Sequence, residues 1–215
     1  VIKVLIADDE DLVRSGLRTI LSSAGDIEVV AECDDGVHVT ELARLHRPNV
    51  ALLDIRMRTS DGIDALRGLM MLPEPPAVSM LTTFDVDEYV REALRVGASG
   101  FLLKDTEPRH LIKAVRDLAR GGAVLDPKVA ARVVSTVADG ARAAEPARRL
   151  LSMLSDRELE VVTLVGHGLS NAEIGQQLHL SEATVKGYVS AVLGKIGAAN
   201  RVQAALVAYR GGLIA

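Results

Sequence analysis

Between residues 2 and 119 the chain switches its hydrophobic period five times in succession. Each time, a short apolar run is followed by a segment whose apolar residues recur at helical spacing. Runs at 2–7, 27–31, 50–53, 78–81 and 100–103 predict strands. Helices are predicted from Val13, Leu17, Ile20 and Leu21, from 37–45, from 63–71, from Tyr89, Val90, Ala93 and Leu94, and from 111–119. Five strand–helix repeats restrict the fold to an α/β architecture, a five-stranded parallel sheet doubly wound with helices on both faces. Right-handed crossovers then give the strand order 2-1-3-4-5.

Open parallel sheets bind ligands beyond the carboxyl ends of their strands. Here strand one ends in Asp8-Asp9, strand three in Asp54, strand four in Thr82 and strand five in Lys104. With strands one and three as neighbours, three carboxylates converge and raise one another's pKa. A divalent cation removes that conflict. Magnesium suits the site, because it takes oxygen ligands and keeps several waters. Lys104 can pair with Asp54 or with an anion in its place, and Thr82 offers that anion a hydroxyl. Asp11 is placed to cap the first helix.

The end of the chain has a different pattern. Ser155-Asp-Arg-Glu158 and Ser170-Asn-Ala-Glu173 have the form of capping boxes, and each opens a short helical pattern. A third helix follows at 181–196 with Ser181 as its cap. Val185, Val189, Val192, Leu193 and Ile196 share one face; Ala183, Gly187, Ser190, Ala191 and Gly194 share the other, with Lys186 at its edge. Only His179 and Leu180 separate this helix from the one before. Two short helices joined so tightly make a helix-turn-helix, whose second helix enters the DNA major groove. Lys186 is the side chain expected to reach base edges, on a surface that also holds Ser181, Gly187 and Ser190. Thr184, Asn171 and Arg201 are expected to hold phosphates, which position without specifying. Small groups at 187 and 190 imply close approach and shape readout.

Residues 1–121 and 150–215 thus form two domains, as 215 residues allow. Between them, Asp126-Pro127 suits a helix start, and Val129, Val133 and Val137 mark a short helix over 129–137. The stretch 139–146 lacks a core pattern and is expected to be a linker, within a connector over 122–149. Residues 1–121 hold 15 Lys+Arg against 21 Asp+Glu, whereas 151–215 holds 5 of each. A neutral DNA-binding half binds phosphates weakly as one copy, so two copies on one site are expected. The single cysteine, Cys33, excludes an intramolecular disulfide and fits a reducing compartment. No apolar run approaches the roughly eighteen residues of a membrane span, and VIKVLIA is too short for a secretory signal. A cytoplasmic protein without membrane contact is expected.

Both halves resemble known families. LIADDE, LLDIRM, SDGID, LTTFD and GASGFLLKD, spread over 1–121, resemble the receiver domain of two-component response regulators, a flavodoxin-like fold. The stretch from LSDRELE to NRVQAAL, with its LSNAEI, LSEATVK and LGKIGAANR blocks, resembles the LuxR-type helix-turn-helix domain, an all-α four-helix unit. The pair is similar to the NarL/LuxR-type subfamily. The resemblance implies that Asp54 accepts a phosphoryl group from a sensor histidine kinase. It implies magnesium held by Asp8, Asp9, Asp54 and the backbone carbonyl of Arg56. Thr82 and Lys104 would contact the phosphoryl oxygens, and Phe101 would swing inward as Thr82 moves. Phosphorylation would favour a homodimer through the first and fifth helices of the receiver. A second contact is expected at the C-terminal helix 202–209, with Ala204, Ala205 and Ala208 on its surface. The dimer would bind double-stranded promoter DNA, so the chain is expected to be a regulator and not a turnover enzyme. Two positions depart from the family pattern: Met57-Arg58 and Lys104-Asp105 stand where proline is usual in the second place. An aspartate-nucleophile phosphohydrolase is the enzymatic alternative, but its nucleophile sits on the first strand with a second aspartate two residues on. Here Asp54 is followed by Ile55-Arg56.

Overall fold

The computed structural model describes residues 1–83, 87–126 and 144–214. They fall into two units, one comprising Val1–Ala119 with Val124–Asp126 and the other built on the helices after residue 143. The helix expected over 129–137 lies outside the described residues, as do residues 139–143 of the expected linker.

The first unit is a parallel sheet of β1 (Ile2–Ala7), β2 (Ile27–Cys33), β3 (Val50–Asp54), β4 (Ala77–Thr82), β5 (Gly100–Leu103) and β6 (Val124–Leu125). The order is β2-β1-β3-β4-β5-β6, every neighbouring pair parallel. The first five strands follow the expected order. The sixth corrects the five-stranded expectation: it is two residues long, too short to show a period, and pairs Val124 with Gly100 and Leu125 with Phe101.

Helices α1 (Asp11–Ser22) and α5 (Pro108–Ala119) cover one face of the sheet. Their Leu17, Leu21, Leu111, Val115 and Leu118 pack on Val4, Ile6, Val50, Leu52, Leu81 and Leu102. The second layer is α2 (Val39–His46), α3 (Gly62–Met70) and α4 (Asp87–Val96), whose Val39, Ala43, Ile63, Leu66, Leu69, Val90 and Leu94 are buried. Each fully buried Leu or Ile contributes about 1.5–3 kcal/mol. Every residue of β3 is buried, as a strand covered on both faces requires. The core therefore fixes the strand ends, and with them the polar residues that follow. The expected cap Asp11 is instead the first helical residue; Glu10 is the N-cap and makes no side-chain capping bond.

The second unit holds α6 (Ala144–Leu151), α7 (Asp156–Gly166), α8 (Asn171–Leu178), α9 (Glu182–Ile196) and α10 (Arg201–Arg210). Both expected capping boxes are formed. Helix α6 precedes the four expected helices and takes in Ala144, Glu145 and Pro146 of the expected linker. Pro146 is its third residue, where no intrahelical N–H donor is needed. Leu151, Val161, Val162, Val165, Ile174, Val185, Val192, Ile196, Ala204 and Ala208 form the core. Ala204 and Ala208 are 1% and 0% exposed, which corrects their expected place on a dimer surface: α10 turns its small residues inward so that the helices pack closely. Among the described residues, no helix is long and apolar enough to cross a membrane.

Candidate functional site

The sheet register brings the expected polar groups to one edge. Asp8 follows β1, Asp54 ends β3, Thr82 ends β4 and Lys104 follows β5. Backbone bonds continue the ladder past the strands: Ile55 N donates to Leu81 O at 3.2 Å, and Lys104 N to Thr82 O at 2.9 Å. Asp8, Asp54 and Thr82 are buried, and Asp9 is half-buried.

Lys104 Nζ sits among carboxylates. It lies 2.9 Å from Asp54 Oδ2, 3.0 Å from Asp8 Oδ2 and 2.7 Å from Glu10 Oε1. Burial pushes the Asp8 and Asp54 carboxyls above the usual carboxylate range, against the pull of Lys104 and of backbone N–H donors. Burial alone would lower Lys104, but its hydrogen bonds to Glu10, Asp54 and Asp8 outweigh that and hold it above its ordinary value. Glu10 was not expected here. It follows the acidic pair directly, but only the fold shows that it reaches a residue 94 positions away.

The site fits a hard divalent cation. Asp8, Asp9, Glu10 and Asp54 each offer a carboxylate oxygen, all within 4.8 Å of one another. One ammonium cannot balance four carboxylates. Asp8 Oδ2, although 3.0 Å from Lys104 Nζ, accepts no hydrogen bond of good geometry among the described residues. A buried oxygen left in that state is suited to a metal. Arg56, expected to give its carbonyl, donates its N–H to Asp54 Oδ1 at 3.4 Å, while its guanidinium lies 5.8 Å from the centroid of the Tyr89 ring on α4.

Phe101 is 0% exposed with Asp54 unmodified. The ring thus lies inside the fold in this state.

In the second unit, α8 and α9 are joined by His179, Leu180 and Ser181. His179 takes a left-handed conformation (φ 55°), and Leu180 N donates to Gly175 O at 2.8 Å. Ser181 caps α9 by accepting from Thr184 N at 3.1 Å. Ser181, Thr184, Lys186, Gly187 and Ser190 are exposed along α9. Lys195 is drawn off by Glu158 at 2.7 Å, which leaves Lys186 as the unpaired lysine of this helix among the described residues. Asn171 and Arg201 are not on this face. They are 4% and 6% exposed and bond to each other at 3.2 Å, and Arg201 also donates to Leu169 O. Their polar atoms tie the start of α8 to α10, and this burial lowers Arg201 to about 10.

Comparison with known proteins matches both units. Residues 4–116 match the response regulator receiver domain, and residues 152–208 match the luxR family of bacterial regulatory proteins. The chain is 39% identical over 213 residues to the uncharacterized transcriptional regulatory protein YxjL of Bacillus subtilis, covering 99% of this chain and 97% of that one. It is 36% identical over 217 residues to the transcriptional regulatory protein LnrK of Bacillus subtilis, covering 99% and 98%. Among solved structures it is similar to the response regulator ChrA of a heme-sensing two-component system, at 36% identity and a TM-score of 0.54, covering 99% and 98%. A parallel sheet with an acidic edge and a helix-turn-helix, in this order on one chain, agree with these matches: the chain belongs to the two-component response regulators that join a receiver domain to a luxR-type DNA-binding domain, a family of transcriptional regulators for which control by phosphorylation is the norm.

Proposed function

We propose that Asp54 is the phosphoryl acceptor and that its modification controls how α9 engages promoter DNA. The observation that carries this reading is Lys104 Nζ held 2.9 Å from Asp54 Oδ2 at the buried edge of the sheet. An Asp54 carboxylate oxygen attacks the phosphorus of a kinase phosphohistidine. The P–O bond forms as the P–N bond breaks, and the imidazole leaves with the bonding pair. Lys104 faces the charge on the phosphoryl oxygens, and Thr82 supplies a hydroxyl to the same oxygens. Asp8, Asp9, Asp54 and the Arg56 carbonyl would hold magnesium, which neutralises phosphoryl charge when bound. The product carries about one more negative charge and three strong acceptor oxygens. Lys104 and Thr82 favour that state over the bare carboxylate, which is the differential affinity a population shift needs.

The reading extends to a cytoplasmic regulator that pairs on DNA. Within the receiver, α1 and α5 form the pairing face, and Leu12 of α1 is 87% exposed. On DNA, Lys186 reaches base edges while Thr184 and Ser181 meet phosphate. Asn171 and Arg201 are buried and bonded to each other, apart from the exposed side chains of α9. Sedimentation with magnesium, with and without beryllofluoride, on wild type and Asp54→Asn tests the switch. Only wild type should move from monomer to dimer and gain operator affinity. Equal behaviour of both proteins overturns the role of Asp54.

A further inference from the structure

The β3–α3 loop holds the Arg56 carbonyl and runs Ile55-Arg-Met-Arg-Thr-Ser60, with neither proline nor glycine to stiffen or tighten it. Its two ends are fixed. Arg56 bridges Asp61, and Gly62 N donates to Ile55 O at 2.9 Å. Asp61 in turn caps α3 through Ile63 N at 3.0 Å.

The middle of the loop is held from another part of the chain. Asp35, in the turn between β2 and α2, is 8% exposed. Its Oδ2 accepts from Thr59 N at 3.1 Å and from Thr59 Oγ1; its Oδ1 accepts from Ser60 Oγ at 2.8 Å and from Val37 N at 3.2 Å. One carboxylate thus closes a clasp between two loops 24 residues apart. The hydroxyls of Thr59 and Ser60, with backbone N–H groups, hold its pKa down at about 2, so it stays ionised throughout the neutral range.

We propose that Asp35 is a positioning residue for the metal at the phosphoacceptor edge: it acts through Thr59 and Ser60 to fix the loop that presents the Arg56 carbonyl. Its carboxylate bonds to Thr59, Ser60 and Val37 and lies outside the cluster of Asp8, Asp9, Glu10 and Asp54. Magnesium demands near-ideal octahedral geometry at short range, so a carbonyl on a loose loop is a poor ligand, and a carbonyl on a clasped loop is not. The proposal rests on the reading of Asp8, Asp9, Asp54 and Arg56 as a magnesium site.

The test measures magnesium binding by titration calorimetry on the full chain, in wild type, Asp35→Asn and the pair Thr59→Ala/Ser60→Ala. The pair leaves the Asp35–Val37 bond and the Thr59 backbone bond intact and removes the two hydroxyl bonds of the clasp, and so separates those bonds from the local turn. Thermal unfolding without metal is recorded for each. So is the magnesium dependence of phosphorylation by acetyl phosphate. Both variants should bind magnesium at least fivefold more weakly than wild type. The half-saturating magnesium concentration for phosphorylation should rise by the same factor, with the plateau rate near wild type. A role confined to stability would lower the unfolding midpoint and leave magnesium affinity unchanged, and that result overturns the proposal while the metal site stands. Absence of magnesium binding in wild type overturns the metal site and the proposal with it.

Discussion

A β-carbon on Gly62 would lie 2.0 Å from the carbonyl oxygen of Asp54. The first turn of α3 is thus pressed against the backbone of Asp54, and the obstacle is main chain, which cannot rotate away. Gly62→Ala must push β3 and α3 apart. Overpacking of this kind costs about 1–3 kcal/mol. The Asp54 carboxylate would also move relative to Lys104. We expect phosphorylation by a small phosphodonor to fall more than tenfold in Gly62→Ala protein that remains folded. A wild-type rate would show that Asp54 tolerates the displacement.

The helix-turn-helix has a counterpart. A β-carbon on Gly175 would lie 2.7 Å from Leu180 O, again a backbone atom. This contact sets how closely α8 approaches the start of α9. Gly175→Ala should weaken operator binding at least tenfold by turning α9 on its neighbour. Phosphorylation of Asp54, which depends only on the receiver, should be unchanged. Gel-shift titration and a phosphorylation time course on the same preparation check both halves of the expectation.

Glu158 supplies a pH signature. Lys195, then the backbone and hydroxyl of Ser155, hold its pKa down at about 2, against an ordinary 4.5. A carboxyl with a depressed folded pKa contributes stability above its unfolded pKa and loses it as pH falls through the folded value. The stability difference between wild type and Glu158→Gln should therefore be full above about pH 4.5 and shrink toward pH 2. Chemical denaturation of the DNA-binding unit across that range measures it. A difference independent of pH would mean that the charge of Glu158 does not matter.

Much of this was legible in the chain because it is local. Strand runs, capping boxes and the acids at strand ends are set by residues within a few positions of one another, and the parallel order follows from connection rules. What was not legible is long-range. Nothing near Asp35 announces Thr59, and nothing near Glu158 announces Lys195, 37 residues on. Asn171 and Arg201, expected to hold phosphates, are buried and bonded to each other across 30 residues, which neither local pattern announces. Ala204 and Ala208 misled for a different reason. Alanine fits a helix surface and a tight helix contact equally well, so periodicity alone cannot orient α10. Strand β6 and helix α6 show no period of their own, being too short or too polar.

His179 tests the turn itself. Its left-handed backbone (φ 55°) is one that side chains other than glycine adopt at a cost of about 1–2 kcal/mol. His179→Gly should stabilise the DNA-binding unit by about 1 kcal/mol, after allowing for the greater freedom of glycine in the unfolded chain. Operator affinity should stay within twofold, because the turn geometry is kept. A loss of stability would show that the His179 side chain makes a contact worth more than the backbone strain.

Gly194 decides how α9 meets DNA. Nothing lies within 4 Å of the place its β-carbon would occupy, so no packing within the described residues requires a glycine there. In a helix interior the glycine costs about 1 kcal/mol relative to alanine. Gly187, on the same exposed face, is equally open. Alanine at 194 should raise the stability of the unit by about 1 kcal/mol whatever the function of the face. Its effect on binding separates two cases. If DNA backbone or base edges come against this stretch, Gly187→Ala and Gly194→Ala should each weaken operator binding several-fold while stabilising the free protein. If only the start of α9 around Lys186 reaches the groove, Gly194→Ala should leave affinity unchanged and Gly187→Ala alone should reduce it. Denaturation midpoints and salt-controlled operator titrations on the two variants locate the depth to which the helix enters the groove.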